Sequence, residues 1–147
     1  MTLLKPRILA LDLGKKRIGL AISDPLGITA QGMANLKRVN KRTDLAALER
    51  LIREREVGLL LVGNPLNMGG SEGRQSAWAR EFGEAIAKRA KVPVEYRDER
   101  LTTVEASRVL RASGMGIEKR AAAVDRLSAV ILLQGYLDFL RGGGLPE

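Results

Sequence analysis

The chain contains no cysteine and no histidine. Without cysteine there are no disulfides, no thiolate zinc sites and no thiol nucleophile. Without histidine the usual general base is missing, and so is the favoured ligand of zinc, copper and nickel. Chemistry on this chain must run on Asp, Glu, Ser, Thr, Lys, Arg or Tyr. Any metal would be held through oxygen, which selects a hard ion such as Mg²⁺ or Mn²⁺. Aromatic residues make up 3% of the chain, fewer than proteins that stack bases on aromatic platforms usually carry. No apolar run approaches the roughly 18 residues that span a bilayer. The start, MTLLKPRILALDLG, lacks the cationic, apolar and small-residue segments of a secretion signal. These absences predict a cytoplasmic protein with no membrane association.

What is present points the same way. A length of 147 residues with 45% hydrophobic content predicts one globular domain, over residues 1–141, followed by a flexible tail, GGGLPE, at 142–147. The formal charge is +8 and the isoelectric point near 10.3, which favours a polyanionic partner. With so few aromatics, a nucleic acid would be held by backbone and shape contacts rather than by base reading.

Hydrophobic periodicity gives the order of elements. Residues 7–13 and 17–23 read as strands joined by the tight basic turn GKKR, and 28–36 as a third strand after the break at Asp24-Pro25 and Gly27. Short turns make these three an antiparallel meander. Thr43-Asp44 then caps a helix with Leu45, Leu48 and Ile52 on one face. VGLLLVG at 57–63 is apolar on both faces, as a central parallel strand is. A glycine-rich loop leads to a helix opening at Ser71, in which Trp78, Phe82 and Ile86 recur every four residues. Residues 92–98 form a fifth strand, TTVE at 102–105 opens a helix with capping-box spacing, and a last helix runs from about Ala121 to Leu140. Three antiparallel strands followed by alternating helices and strands predict a mixed five-stranded α/β sheet with helices on both faces. That is the layout of the ribonuclease H fold.

Asp12 interrupts the apolar run of the first strand. A carboxylate there costs several kcal/mol of lost hydration unless something compensates it. Asp98 and Glu99 follow the fifth strand, and Asp125 sits early in the last helix. The carboxyl ends of the parallel strands share one edge, where ligands of open α/β sheets bind. Acids converging there would repel, and a divalent cation relieves the repulsion. Each acid also has an ordinary reading: Asp12 as a turn residue bonding the GKK backbone, Glu99 as a surface charge, Asp125 as a helix cap or a partner of Arg126. Strand alternation sends Asp98 and Glu99 to opposite sides, so one of the two would face the site.

Four segments, LALDLGKKRIGLAISD, VGNPLNMGGSEGRQS, DERLTTVEA and DRLSAVILLQGYL, occur in an order that closely resembles the YqgF family, also called RuvX. Its members are described as Holliday junction resolvases or pre-16S rRNA nucleases of ribonuclease H-like fold. The resemblance covers nearly the whole chain. It implies the acidic triad Asp12, Glu99 and Asp125 as catalytic, metal-holding residues, with the role of Asp98 open. It also implies two-metal phosphodiester hydrolysis, with Asp12 bridging two Mg²⁺ or Mn²⁺ ions about 4 Å apart. Lys15, Lys16 and Arg17 beside Asp12, Arg74 and Gln75 at a helix start, Arg100 after the acids, and Lys119 and Arg120 on an arm after SGMG are the candidate contacts to branched DNA or precursor rRNA. Junction resolution needs two matched cuts and so predicts a homodimer. The competing readings are a non-catalytic basic module that binds nucleic acid or protein, and an ATP-binding domain of the actin and Hsp70 type. The latter clamps nucleotide between two such domains, whereas this length supplies one.

Overall fold

A computed structural model describes residues 6–63, 74–97 and 117–142, with the side chains of 74–76 and 117–126 outside the description. The order of elements is β1 (Arg7–Leu13), β2 (Arg17–Ser23), β3 (Ala30–Lys37), α1 (Lys41–Glu54), β4 (Val57–Gly63), α2 (Arg74–Ala90), β5 (Val94–Arg97) and α3 (Ile117–Leu140). The strands form one sheet in the order β3-β2-β1-β4-β5. β1 pairs antiparallel with β2 and β2 with β3, while β1–β4 and β4–β5 are parallel. This is the expected five-stranded mixed sheet of ribonuclease H-like layout. The helix expected after TTVE lies outside the described residues.

β1, β2 and β4 are buried on both faces because their apolar residues do not alternate with polar ones. The alternation that remains decides which helix each side chain meets. Leu9, Leu11, Leu13, Ile18, Leu20 and Ile22 join Leu48 and Ile52 of α1 and Phe82 and Ile86 of α2 in one core. Ile8, Ala10, Ala21 and Leu61 face the other way, against Ala129, Leu132, Leu133 and Leu137 of α3. The large residues therefore lie under α1 and α2. The alanines of β1 and β2 allow α3 to lie close to the sheet.

α3 has a defined direction. The Gln134 side chain accepts from Ala30 N at 2.9 Å and donates to Ile28 O at 2.9 Å, and the Arg141 guanidinium donates to Ile28 O at 3.3 Å. These residues adjoin Ser23, whose Oγ accepts from Ile8 N at 2.8 Å. The carboxyl end of α3 thus lies where β1 begins, and its amino end lies where β1 finishes.

Four boundaries differ from expectation, each for a local reason. β3 starts at Ala30 rather than residue 28 because Asp24 Oδ1 accepts from Ile28 N (2.6 Å) and Thr29 N (2.8 Å), which holds 24–29 as a closed loop. α1 is capped by Asn40, whose Oδ1 accepts from Thr43 N at 2.8 Å. β5 begins at Val94 because Pro93 has no N–H to give the ladder; its carbonyl still accepts from Leu60 N at 2.9 Å. α3 begins at Ile117, four residues earlier than expected. Lys119 and Arg120 therefore belong to its first turn and not to an arm preceding it.

Two contacts fix β5 against its neighbours. A Cβ at Gly83 would fall 2.8 Å from the Tyr96 hydroxyl oxygen, so glycine there lets α2 approach β5. The Tyr96 hydroxyl donates to Glu84 Oε2 at 2.7 Å, and burial followed by this partner pushes its pKa up. On the opposite face the Arg97 guanidinium lies 5.5 Å from the ring centroids of Tyr136 and Phe139.

The Asp24 loop yields a pH test. The Thr29 N–H, followed by other backbone donors, holds the Asp24 carboxyl below its ordinary 3.8. A lowered folded pKa gives stability that is present above the unfolded value and lost as pH falls through the folded one. Asp24→Ala is expected to unfold at lower urea than wild type at pH 7, with the gap closing as pH falls below about 3.8.

Candidate active site

The carboxyl ends of β1, β4 and β5, the β1–β2 turn and the end of β3 lie at one edge of the sheet by strand direction, and the direction of α3 brings its amino end there too. Asp12 is the penultimate residue of β1 and is 7% exposed. It alternates with Ile8 and Ala10, so its side chain is on the α3 face. Its cross-strand neighbour is Gly19, which places no side chain beside the carboxylate.

Position 125 approaches the same place. It precedes Ala129 and Leu133 by four and eight residues and so continues the sheet-facing stripe of α3 toward its amino end. Nine residues, ~13 Å of helix, separate it from Gln134. Four residues, ~13 Å of strand, separate Asp12 from Ile8. Since Gln134 sits at the level where β1 begins, positions 12 and 125 fall at one edge on one face. Arg97 closes β5 at that edge. Asp98, Glu99 and Arg100 come next in the chain, outside the described residues. Arg74 and Gln75 open α2 at this edge too, and Lys119 and Arg120 lie in the first turn of α3.

The donor chemistry present fits a hard divalent cation. Asp12 is a buried carboxylate in a chain without nitrogen or sulfur ligands of the histidine or cysteine kind. One turn along α3 from position 125, Ser128 is 1% exposed, and its hydroxyl has no hydrogen-bond partner among the described residues. An orphaned buried hydroxyl on the face that carries Asp12 marks a place suited to a polar occupant. Among the described residues alone, no three acids come together.

The cations beside Asp12 are arranged by the β1–β2 turn. Gly14 N donates to Arg17 O at 2.9 Å and closes it, leaving Lys15 and Lys16 exposed. Arg38, which the sequence did not single out, holds this turn from behind. Its backbone N donates to Lys16 O (2.9 Å) and its guanidinium to Gly14 O (3.1 Å). The same guanidinium lies 4.4 Å from the centroid of Trp78 and 3.6 Å from the carboxylate of Asp44. Asp44 is 1% exposed and also accepts from Val39 N at 3.1 Å. Trp78 is thus a core residue that doubles as a seat for Arg38. The sequence signals for this clamp are slight, because Arg38, Asp44 and Trp78 share no periodicity.

Comparisons with known proteins bear on the family and the fold. The model of the family described as "RuvX: Holliday junction resolvase" matches residues 6–139. The chain belongs to the RuvX family. Among its relatives, a Koribacter versatilis protein named "Putative pre-16S rRNA nuclease" is 56% identical over 132 residues, covering 90% of this chain and 86% of that one. A Moorella thermoacetica protein of the same name is 46% identical over 139 residues, covering 95% and 99%. Among solved structures, Thermus thermophilus RuvC in complex with a Holliday junction substrate matches with TM-score 0.56 and 15% identity, over 95% of this chain and 98% of that one. At that identity the likeness establishes the fold. No helix among the described residues is long and apolar enough to cross a membrane.

Removing Arg38 would strand the buried Asp44 carboxylate. Breaking a buried pair costs about 3–5 kcal/mol, and partial exposure of Arg38 lowers that. Arg38→Ala is expected to lose about 2–3 kcal/mol in urea denaturation at pH 7, while Arg38→Ala with Asp44→Ala recovers part of the loss.

Proposed function

We propose that this RuvX-family chain is a divalent-metal-dependent nuclease that hydrolyses phosphodiester bonds in structured nucleic acid, with Mg²⁺ or Mn²⁺ held by Asp12, Glu99 and Asp125. The observation that carries the proposal is the buried carboxylate of Asp12 at the end of a central strand, in a chain with no histidine or cysteine. When bound, such ions supply Lewis acidity, making a water nucleophilic at neutral pH and offsetting charge on the leaving oxygen. The protein's own contribution is positional. β1 holds Asp12 rigidly within the sheet, and the Arg38 clamp fixes Lys15 and Lys16 beside it for phosphate. No histidine base is required in this scheme, which fits the composition.

Of the two substrates, processing of pre-16S rRNA ends is favoured by the names of relatives 46–56% identical over nearly the whole chain. Resolution of four-way DNA junctions is favoured by the description of the family, and it would require a homodimer. In either case the protein would act in the cytoplasm, where its nucleic-acid substrates are.

Wild type and Asp12→Asn, given a labelled rRNA precursor and a labelled four-way junction with Mg²⁺, Mn²⁺ or chelator, test the proposal. Cleavage should require metal and fall more than roughly a hundredfold in Asp12→Asn. If wild type binds both substrates and cuts neither under any metal, a basic binding module is the better account. A second readout is thermal unfolding. Mn²⁺ at about a hundredfold excess over its Kd should raise the Tm of wild type by about 5–10 °C and leave Asp12→Asn unmoved.

A further inference from the structure

The end of β3 adds a feature that neither the triad nor the turn accounts for. Lys15, Lys16, Arg17, Asn35, Lys37 and Arg38 line a depression of about 520 Å³. Five of the six are cations and none is an acid. Arg17 and Lys37 are directly opposite each other in the β2–β3 ladder. Two cations set side by side in the ladder add their fields at this end of the sheet, which attracts an anion. Lys37 alternates with Leu36, which packs into the α1/α2 core. Lys37 and Arg17 therefore project on the α3 face, the face of Asp12. Arg38 turns the other way and is occupied by Asp44 and Trp78, so it shapes the depression rather than gripping a ligand.

We propose that this depression is a phosphate-binding subsite for the substrate's own backbone, engaging phosphodiesters a short way along from the one cleaved. The inference rests on the nuclease reading for its substrate class. β3 lies two strand spacings from β1, ~10 Å, a distance that a short stretch of one nucleic-acid strand spans. The strand would run across the end of the sheet from Asp12 toward β3, with Lys15 and Lys16 between and Lys37 at the far side. Contacts to phosphate carry no base information, so the subsite would hold RNA and DNA alike and fix which bond meets Asp12.

Binding without metal isolates this claim from catalysis. Lys15→Gln/Lys37→Gln is compared with Arg50→Gln/Lys88→Gln, which removes the same charge from exposed sites on α1 and α2. Anisotropy of a labelled single-stranded RNA and a labelled four-way junction is measured in chelator across a salt series, with circular dichroism to check folding. The first variant is expected to bind both nucleic acids ~tenfold more weakly, with a salt slope lower by about 1.4 for the single strand. The control should stay within about twofold of wild type. Equal weakening in both variants would reduce the effect to net charge and overturn the subsite, and so would wild-type binding by the first variant. Cleavage by the same proteins separates the two readings. Wild-type binding by Lys15→Gln/Lys37→Gln alongside metal-dependent cleavage by the unmodified protein sinks the subsite and leaves the nuclease. Selective loss of binding in a protein that never cleaves supports the subsite and sinks the nuclease.

Discussion

One carboxylate constrains this molecule more than any other group. Asp12 stands in the strand at the middle of the sheet, flanked by β2 and β4 and nearly removed from solvent. Such a position is normally filled by an aliphatic side chain, as it is at Leu9 and Leu11. Keeping a carboxylate there without loss of stability needs positive charge at the end of β1. The surrounding architecture supplies it: a basic turn immediately after the strand, and a helix whose amino end, with its positive dipole, approaches the same edge.

The division of the sheet into two unequal faces follows from the same need. Leucine, isoleucine and phenylalanine fill the α1/α2 side, where hydrophobic burial does most of the stabilising, roughly 1.5–3 kcal/mol for each large side chain. The α3 side is built on Ala10, Ala21 and Ala129 beneath a few leucines. A thin layer of this kind lets polar groups at its upper end, Asp12 and Ser128 among them, come close to helix backbone. Large apolar side chains are thereby concentrated on one face, and the buried polar groups Asp12 and Ser128 lie toward the other. The Arg38–Asp44 pair crosses from the stable side and ties the basic turn to it.

Much of this was legible in the sequence, for identifiable reasons. Strands apolar on both faces can only be central, so β1, β2 and β4, and the sheet order with them, follow from pattern. Leu45, Leu48, Ile52, Phe82 and Ile86 were legible because their spacing is the helical repeat itself. Asn40 was missed as the cap because Thr43 and Asp44 offer equally good capping chemistry, and only the fold shows Asp44 taken up by Arg38 and the Val39 amide. Of the proposed triad, the fold places Asp12 at the carboxyl end of β1 and position 125 on the sheet-facing stripe of α3. Its completion through Glu99 depends on residues beyond β5, and strand alternation there cannot choose between Asp98 and Glu99. Lys37 was invisible because its relation to Arg17 is a matter of hairpin register across 20 positions, not of any local motif.

The distribution of charge around the molecule is the last consequence. On the helices some charges meet partners: Glu49 with Arg53 and Arg89, Asp138 with Arg141. Exposed pairs of this kind contribute little to stability, but they cancel one another's field. At the end of β3 the described residues that line the depression include five cations and no acid, so part of the excess of +8 is gathered there. Such a grouping of cations attracts a polyanion, and the strand that leads into its turn carries Asp12. The fold thus couples attraction and chemistry through a single topological fact: the turn that ends the central strand is both the continuation of Asp12 and the start of the basic surface.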